Sequence, residues 1–138
     1  MSTCFIFFDA ATYTPDADLP KQFWAVRLDD AGEIDVALSE HTPEEIHAMQ
    51  AGARTVVVLP TSVASIHFLN FPKLSMRKVR EAIPYALEEV LAEPVQETQV
   101  AFERDADNVL HYRAVALNKL RLRTWMTALE ALNFEFDA

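Results

Sequence analysis

A few side chains in this sequence have the types that bond chemistry or metal binding would need: Cys4, Asp9, Ser39, Glu40 and the four histidines His41, His47, His67 and His111. A helical metal site would be signalled by two histidines four residues apart on one face, with a Cys or Glu companion completing the set. No histidine pair has that spacing, so these rings read as structural. Ser39-Glu-His41 contains hydrolase residue types but lacks the strand-to-helix elbow that exposes a nucleophile. Cys4 lies within an apolar run and reads as a buried, inert thiol, and as the single cysteine it excludes a disulfide within the chain. Asp9 follows the same run and reads as a turn former at a strand end. The only glycines are Gly32 and Gly52. Each has a local duty, the first in a hairpin turn and the second after a helix, which leaves none for a phosphate-cradling loop.

Interaction chemistry is better provided for. Ser75 is a good N-cap ahead of Met76, Val79, Ile83, Leu87, Val90 and Leu91, whose spacing predicts a helix over residues 75–93 with one buried face, ended by Pro94. Its charges oppose the helix macrodipole: Arg77, Lys78 and Arg80 occupy the positive N-terminal turns, whereas Glu88, Glu89 and Glu93 occupy the negative C-terminal end. Such an order costs the isolated helix about 0.3–1 kcal/mol per exposed charge, so either salt screens the effect or these charges answer to something outside the helix. Pro84 removes an internal hydrogen bond and predicts a bend near Arg80, which either fits the helix over its sheet or projects Tyr85, Glu88 and Glu89 toward a partner. Arg77, Lys78, Arg80, Glu81, Tyr85, Glu88 and Glu89 are therefore the candidate partner-binding residues.

The 138 residues are 51% hydrophobic, enough to bury a core, and carry a net charge of −9. That charge argues against general binding to nucleic acid or to an anionic membrane surface, both of which need a large basic patch. No window has the apolar length of a membrane-spanning helix.

Short apolar runs bounded by turn residues predict the elements. Thr3–Phe8 reads as a strand, and Phe23–Leu28 with Ile34–Leu38 as a hairpin about Gly32. Thr42 and Pro43, followed by Glu44 and Glu45, open a helix that uses Ile46 and Met49. The β-branched run Thr55–Leu59 predicts a central strand covered on both faces. Residues 62–71 form a strand that feeds the Ser75 helix. Gln99–Glu103 and Leu110–Leu117 form a second hairpin about a polar turn, Asn118 caps a last helix through Leu132, and Asn133–Phe136 opens another strand. The class is α/β. Because the chain stops as that strand begins, it is expected to be part of a longer protein.

Strand, then Phe71-Pro-Lys73, then a helix reading Arg80-Glu-Ala-Ile-Pro-Tyr-Ala-Leu-Glu-Glu-Val-Leu91, then a strand from Val100-Ala-Phe102, resembles the cytoplasmic domain of the type II secretion system protein L family. The flanks Thr55-Val-Val-Val-Leu-Pro60, Tyr112-Arg-Ala-Val-Ala116 and Trp125-Met-Thr-Ala-Leu-Glu-Ala-Leu132 extend the likeness over residues 55–138.

The resemblance implies an actin-like fold with a mixed sheet. Residues 1–60 and 112–138 would form a ribonuclease-H-like layer, and 61–111 a small inserted β-α-β subdomain holding the helix 75–93. It also implies a non-enzymatic scaffold in the inner-membrane platform, on the cytoplasmic face of the bacterial inner membrane. Such a scaffold would recruit the secretion ATPase through that ATPase's N-terminal domain, beside other platform proteins. Separately from the resemblance, exposed strand edges offer a homodimer as a further assembly. Asp9 would stand where nucleotide-hydrolysing actin relatives place a metal-linked acid, but Ala10 and Ala11 replace the glycine environment there, so no cofactor is expected. The rival readings are an actin-like nucleotide-binding protein and a type IV pilus platform protein.

Overall fold

A computed structural model describes residues 1–137 and divides the chain into two compact units, one of residues 1–60 with the stretch from 124 onward and one of residues 61–123. No helix among the described residues is long and apolar enough to cross a membrane.

The first unit is built on a mixed four-stranded sheet in the order β3-β2-β1-β4, from β1 (Ser2–Phe7), β2 (Phe23–Leu28), β3 (Ile34–His41) and β4 (Ala53–Val58). β1 runs antiparallel to β2 and parallel to β4, with Phe5 opposite both Val26 and Val56. At the β2–β3 turn the Asp29 carboxylate accepts from the Ala31 and Glu33 N–H groups, and Gly32 takes a φ of 82° that a side chain would strain. Helix α1 (Pro43–Gln50) starts as expected, with Thr42 Oγ1 accepting from the Glu45 N–H.

Alternation along β1 sends Cys4, Ile6 and Phe8 to one face, where they are buried with Ala25, Phe23, Ile46 and Met49 and with Trp125, Ala128 and Leu129 of the last helix, α3 (Lys119–Ala131). The Phe134 ring closes this core, 5.2 Å from the Phe23 ring centroid and 5.4 Å from that of His47. The expected central strand at Thr55–Leu59 is instead the outermost strand of this sheet, β4. β-branched content reports a pleated, half-buried surface and is silent about the number of neighbours.

The second unit is a three-stranded antiparallel sheet in the order β5-β7-β6, from β5 (Ser65–Asn70), β6 (Thr98–Arg104) and β7 (His111–Asn118). One helix, α2 (Met76–Leu87), packs on it through Val79, Ile83 and Leu87 against Tyr112 and Ala114, with Leu69, Phe71, Val100 and Phe102 around them. The expected β6–β7 hairpin is present. However, β7 lies between β5 and β6, so residues 112–123 fall with this unit and not with residues 1–60. The boundary follows hydrogen bonding, because β7 is the only strand that pairs with both of its neighbours in this sheet.

The helix expected over 75–93 also ends sooner. It stops at Leu87, followed by a turn in which the Val90 and Leu91 N–H groups both donate to the Leu87 carbonyl at 3.0 Å. Glu88, Glu89 and Glu93 would have crowded negative charge onto the negative end of a longer helix.

Candidate partner-binding surface

Helix α2 positions the candidate residues by simple periodicity. Val79, Ile83 and Leu87 define its buried face at i, i+4 and i+8. At 100° per residue, Arg77, Lys78, Glu81 and Tyr85 then point away from the sheet, with Glu88 and Glu89 following in the turn. All of these residues are exposed, and Tyr85 is 78% accessible. Arg80 sits on the flank, with its guanidinium carbon 5.9 Å from the centre of the Phe102 ring on β6, within cation–π range. The sequence thus brought together one exposed stripe and one flanking cation.

The helix start is secured by Ser75 Oγ, which accepts from the Lys78 N–H at 3.4 Å. No acid lies in the first turn and no base in the last, so the basic start read from the sequence stands in the folded helix, while the glutamates fall at and beyond its C-terminal cap. Among the described residues, none of the α2 charges is in an ion pair; the pairs are Met1–Asp30, Arg27–Asp35, His41–Glu45 and Glu103–Arg113. Glu81, Pro84, Tyr85 and Glu88 form one wall of a depression of about 500 Å³ whose other wall is Val95 and Gln96. Val95 and Gln96, in the short turn after Pro94, are site-lining residues that periodicity could not reveal, since they lie outside the helix.

The other chemically suggestive side chains are tied into local structure. Asp9 Oδ2 accepts from Thr12 Oγ1 at 2.8 Å inside its turn, and the neighbouring Ala10 is fully buried. His47 Nε2 meets the Leu132 carbonyl at 2.9 Å, His67 Nε2 meets Ser65 Oγ at 2.8 Å, and His111 Nε2 lies 3.3 Å from Asn108 Nδ2. His41 links Ser39 Oγ to Glu45 Oε2, at 2.9 Å on each side. This series uses Glu45 rather than Glu40 and sits on the edge strand β3, with the Glu45 carboxylate more than half exposed. No group of three His, Cys, Asp or Glu residues among the described residues is placed to hold a metal. Burial raises the Cys4 thiol above its ordinary value, and the positive charge of Arg27 opposes that shift.

Three comparisons bear on these observations. The cytoplasmic domain of EpsL, an inner membrane component of the type II secretion system of Vibrio cholerae, superposes with a TM-score of 0.71 at 16% identity, over 99% of this chain and 56% of that one. The fold is therefore α/β and actin-like with a mixed sheet, as the sequence led us to expect. Type II secretion system protein L of Dickeya chrysanthemi is 31% identical over 77 residues, which are 55% of this chain and 18% of that protein. The chain thus spans about half of the solved relative, and the aligned part is under a fifth of the curated one. The sequence model of the type II secretion system protein L family matches residues 17–138, and by that match this chain belongs to the protein L family.

Proposed function

We propose that this chain acts as a non-enzymatic scaffold that recruits and anchors the secretion ATPase at the cytoplasmic face of the bacterial inner membrane. In this reading, the unit of residues 61–123 serves as the inserted subdomain that carries the contact helix. The solvent face of α2, with Arg77, Lys78, Glu81, Tyr85, Glu88 and Glu89 and with Arg80 on its flank, receives the N-terminal domain of the ATPase, beside other platform proteins. The single observation that carries this reading is that stripe: a helix anchored by three buried residues, presenting a tyrosine and charges that no ion pair among the described residues satisfies. Exposed Tyr and Arg on a rigid element are the residue types most enriched at binding hot spots. The acidic body and the acidic end of α2 suit a basic partner surface, so binding should weaken as salt rises.

Calorimetric titration with the N-terminal domain of the secretion ATPase tests this, using the 138-residue chain and its Glu88→Lys/Glu89→Lys and Tyr85→Ala variants. Binding lost in variants that remain folded supports the site. Undiminished binding moves the contact off α2, and no binding by the unaltered chain removes the recruiting role from this part of the protein.

A further inference from the structure

We infer that the free edge of β6, together with the flank of α2, is a docking site for an extended acidic segment of a partner protein, taken up as a fourth strand of the second unit's sheet. β6 ends the strand order β5-β7-β6, so one of its edges has no partner strand among the described residues. Which groups it offers follows from two hydrogen bonds. The Asp105 N–H donates to the His111 carbonyl across the hairpin, and β6 pairs with β7 without a register shift. Residues alternate in the direction of their backbone groups, so Glu103, Ala101 and Gln99 turn toward β7, whereas Phe102, Val100 and Thr98 turn away. The Thr98 N–H agrees with this, because it donates back to the Val95 carbonyl and not to β7. Val100 and Phe102 therefore present two N–H and two C=O groups outward, at the spacing an added strand requires.

That edge opens onto a groove of about 390 Å³ whose lining includes Arg80, Pro84, Val95, Val100, Phe102 and Lys119. Its floor is apolar. Its charged lining residues are both cations, in a chain whose net charge is −9, which selects for carboxylates in the occupant. Pro84, which also lines the groove, has no N–H to give the Arg80 carbonyl as an ordinary helical residue would. Exposed edges without bulges or charge usually need protection; β3, the outer strand of the other sheet, is broken by two register shifts, whereas β6 is regular. This site shares Arg80 and Pro84 with the surface assigned to the ATPase, but it is built on the flank of α2 and the edge of β6 and does not include Tyr85, Glu88 or Glu89.

The test uses a labelled, end-capped peptide Glu-Thr-Val-Thr-Val-Thr-Glu, which puts two carboxylates and two valines on one face of a strand, titrated onto the 138-residue chain by fluorescence anisotropy. Saturable binding is expected, with slowed amide exchange at Val100 and Phe102. Val100→Pro deletes an outward N–H that β7 does not use and should weaken binding at least tenfold. Lys119→Glu should weaken it at least threefold and should in turn favour the same peptide with Lys in place of Glu. Absence of binding, equal affinity of the acidic and basic peptides, or a folded Val100→Pro variant that binds as the parent does would each overturn the proposal. A concentration-dependent dimer abolished by Val100→Pro, without peptide binding, would assign the edge to a second copy and overturn it as well. Should Val100→Pro fail to fold, the charge swap between Lys119→Glu and the basic peptide decides alone. ATPase binding retained by a peptide-deficient variant would keep this result separate from the scaffold reading.

Discussion

Asp137 and Thr55 exchange two hydrogen bonds: the Asp137 N–H donates to the Thr55 carbonyl at 2.9 Å, and the Thr55 N–H donates to Asp137 Oδ2 at 3.1 Å. The outer edge of β4 is thereby partly satisfied by residues that follow the last helix. Gln50 Nε2 reinforces the contact by donating to the Glu135 carbonyl and to Thr55 Oγ1. Replacing Asp137 by Ala removes a carboxylate acceptor from a nearly buried edge and should cost about 1 kcal/mol in urea denaturation, with faster amide exchange at Thr55. Unchanged exchange would mean that the backbone bond alone holds this segment.

Neighbouring positions of α2 should respond very differently to truncation. Ile83 is buried in the helix–sheet core, so Ile83→Ala should destabilise by about 2–4 kcal/mol through lost contacts and a residual cavity. Tyr85→Ala should change stability by no more than about 0.5 kcal/mol, since the ring stands in solvent. Comparable losses from the two would place Tyr85 in the core and undo the surface assignment.

Pro84 makes a separable prediction. In a helix interior, Pro is about 3 kcal/mol less favourable than Ala, although the surrounding packing has already accommodated part of that cost. Pro84→Ala restores an N–H to the Arg80 carbonyl and should therefore raise stability by about 1–2 kcal/mol. If the bend serves the ATPase contact, calorimetry should show weaker binding by this more stable variant.

Charge reversals on α2 should also uncouple stability from binding. Glu88→Lys and Glu89→Lys place positive charge at the negative helix end, and each should leave stability unchanged or raise it by about 0.3–1 kcal/mol. The same changes should weaken a salt-sensitive complex with a basic partner surface. Loss of binding accompanied by a lower melting temperature would indicate damage to the fold instead.

Cys4 gives a pH-dependent expectation. Its folded thiol titrates above the ordinary value of 9.0 because burial disfavours the thiolate. The stability linked to this group is fully present below pH 9.0, where both states hold the proton. It is lost as pH rises from there through the higher folded pKa, since the unfolded chain ionises first. Thiol-reagent kinetics should accordingly show no modification of the native protein near neutrality and full modification on unfolding.

Much of the local structure was legible before any coordinates. Thr42-Pro43 and Ser75 start their helices, Asn118 Oδ1 accepts from the Arg121 N–H ahead of α3, and the Asp29–Gly32 turn closes its hairpin, because caps and turns are satisfied by side chains a few residues away. The surface stripe of α2 was legible for the same reason: one helical period converts sequence spacing directly into faces. The stopping point at Leu87 was less so, since Val90 and Leu91 continue the apolar rhythm while the glutamates oppose it, and periodicity alone does not weigh the two.

Apart from the strand expected at Asn133–Phe136, which is irregular chain in the structure, the residues alone determined the elements, their order, the buried face of each helix and the family resemblance, all of which depend on neighbours within a few positions or on recurring local patterns. Tertiary structure decided that β4 is outermost, that β7 joins β5 and β6, that Val95 and Gln96 face Tyr85, and that the edge of β6 stands open. Those outcomes rest on which distant strands share hydrogen bonds, and a strand offers the same donors and acceptors to any partner, so its own sequence cannot name the one it meets.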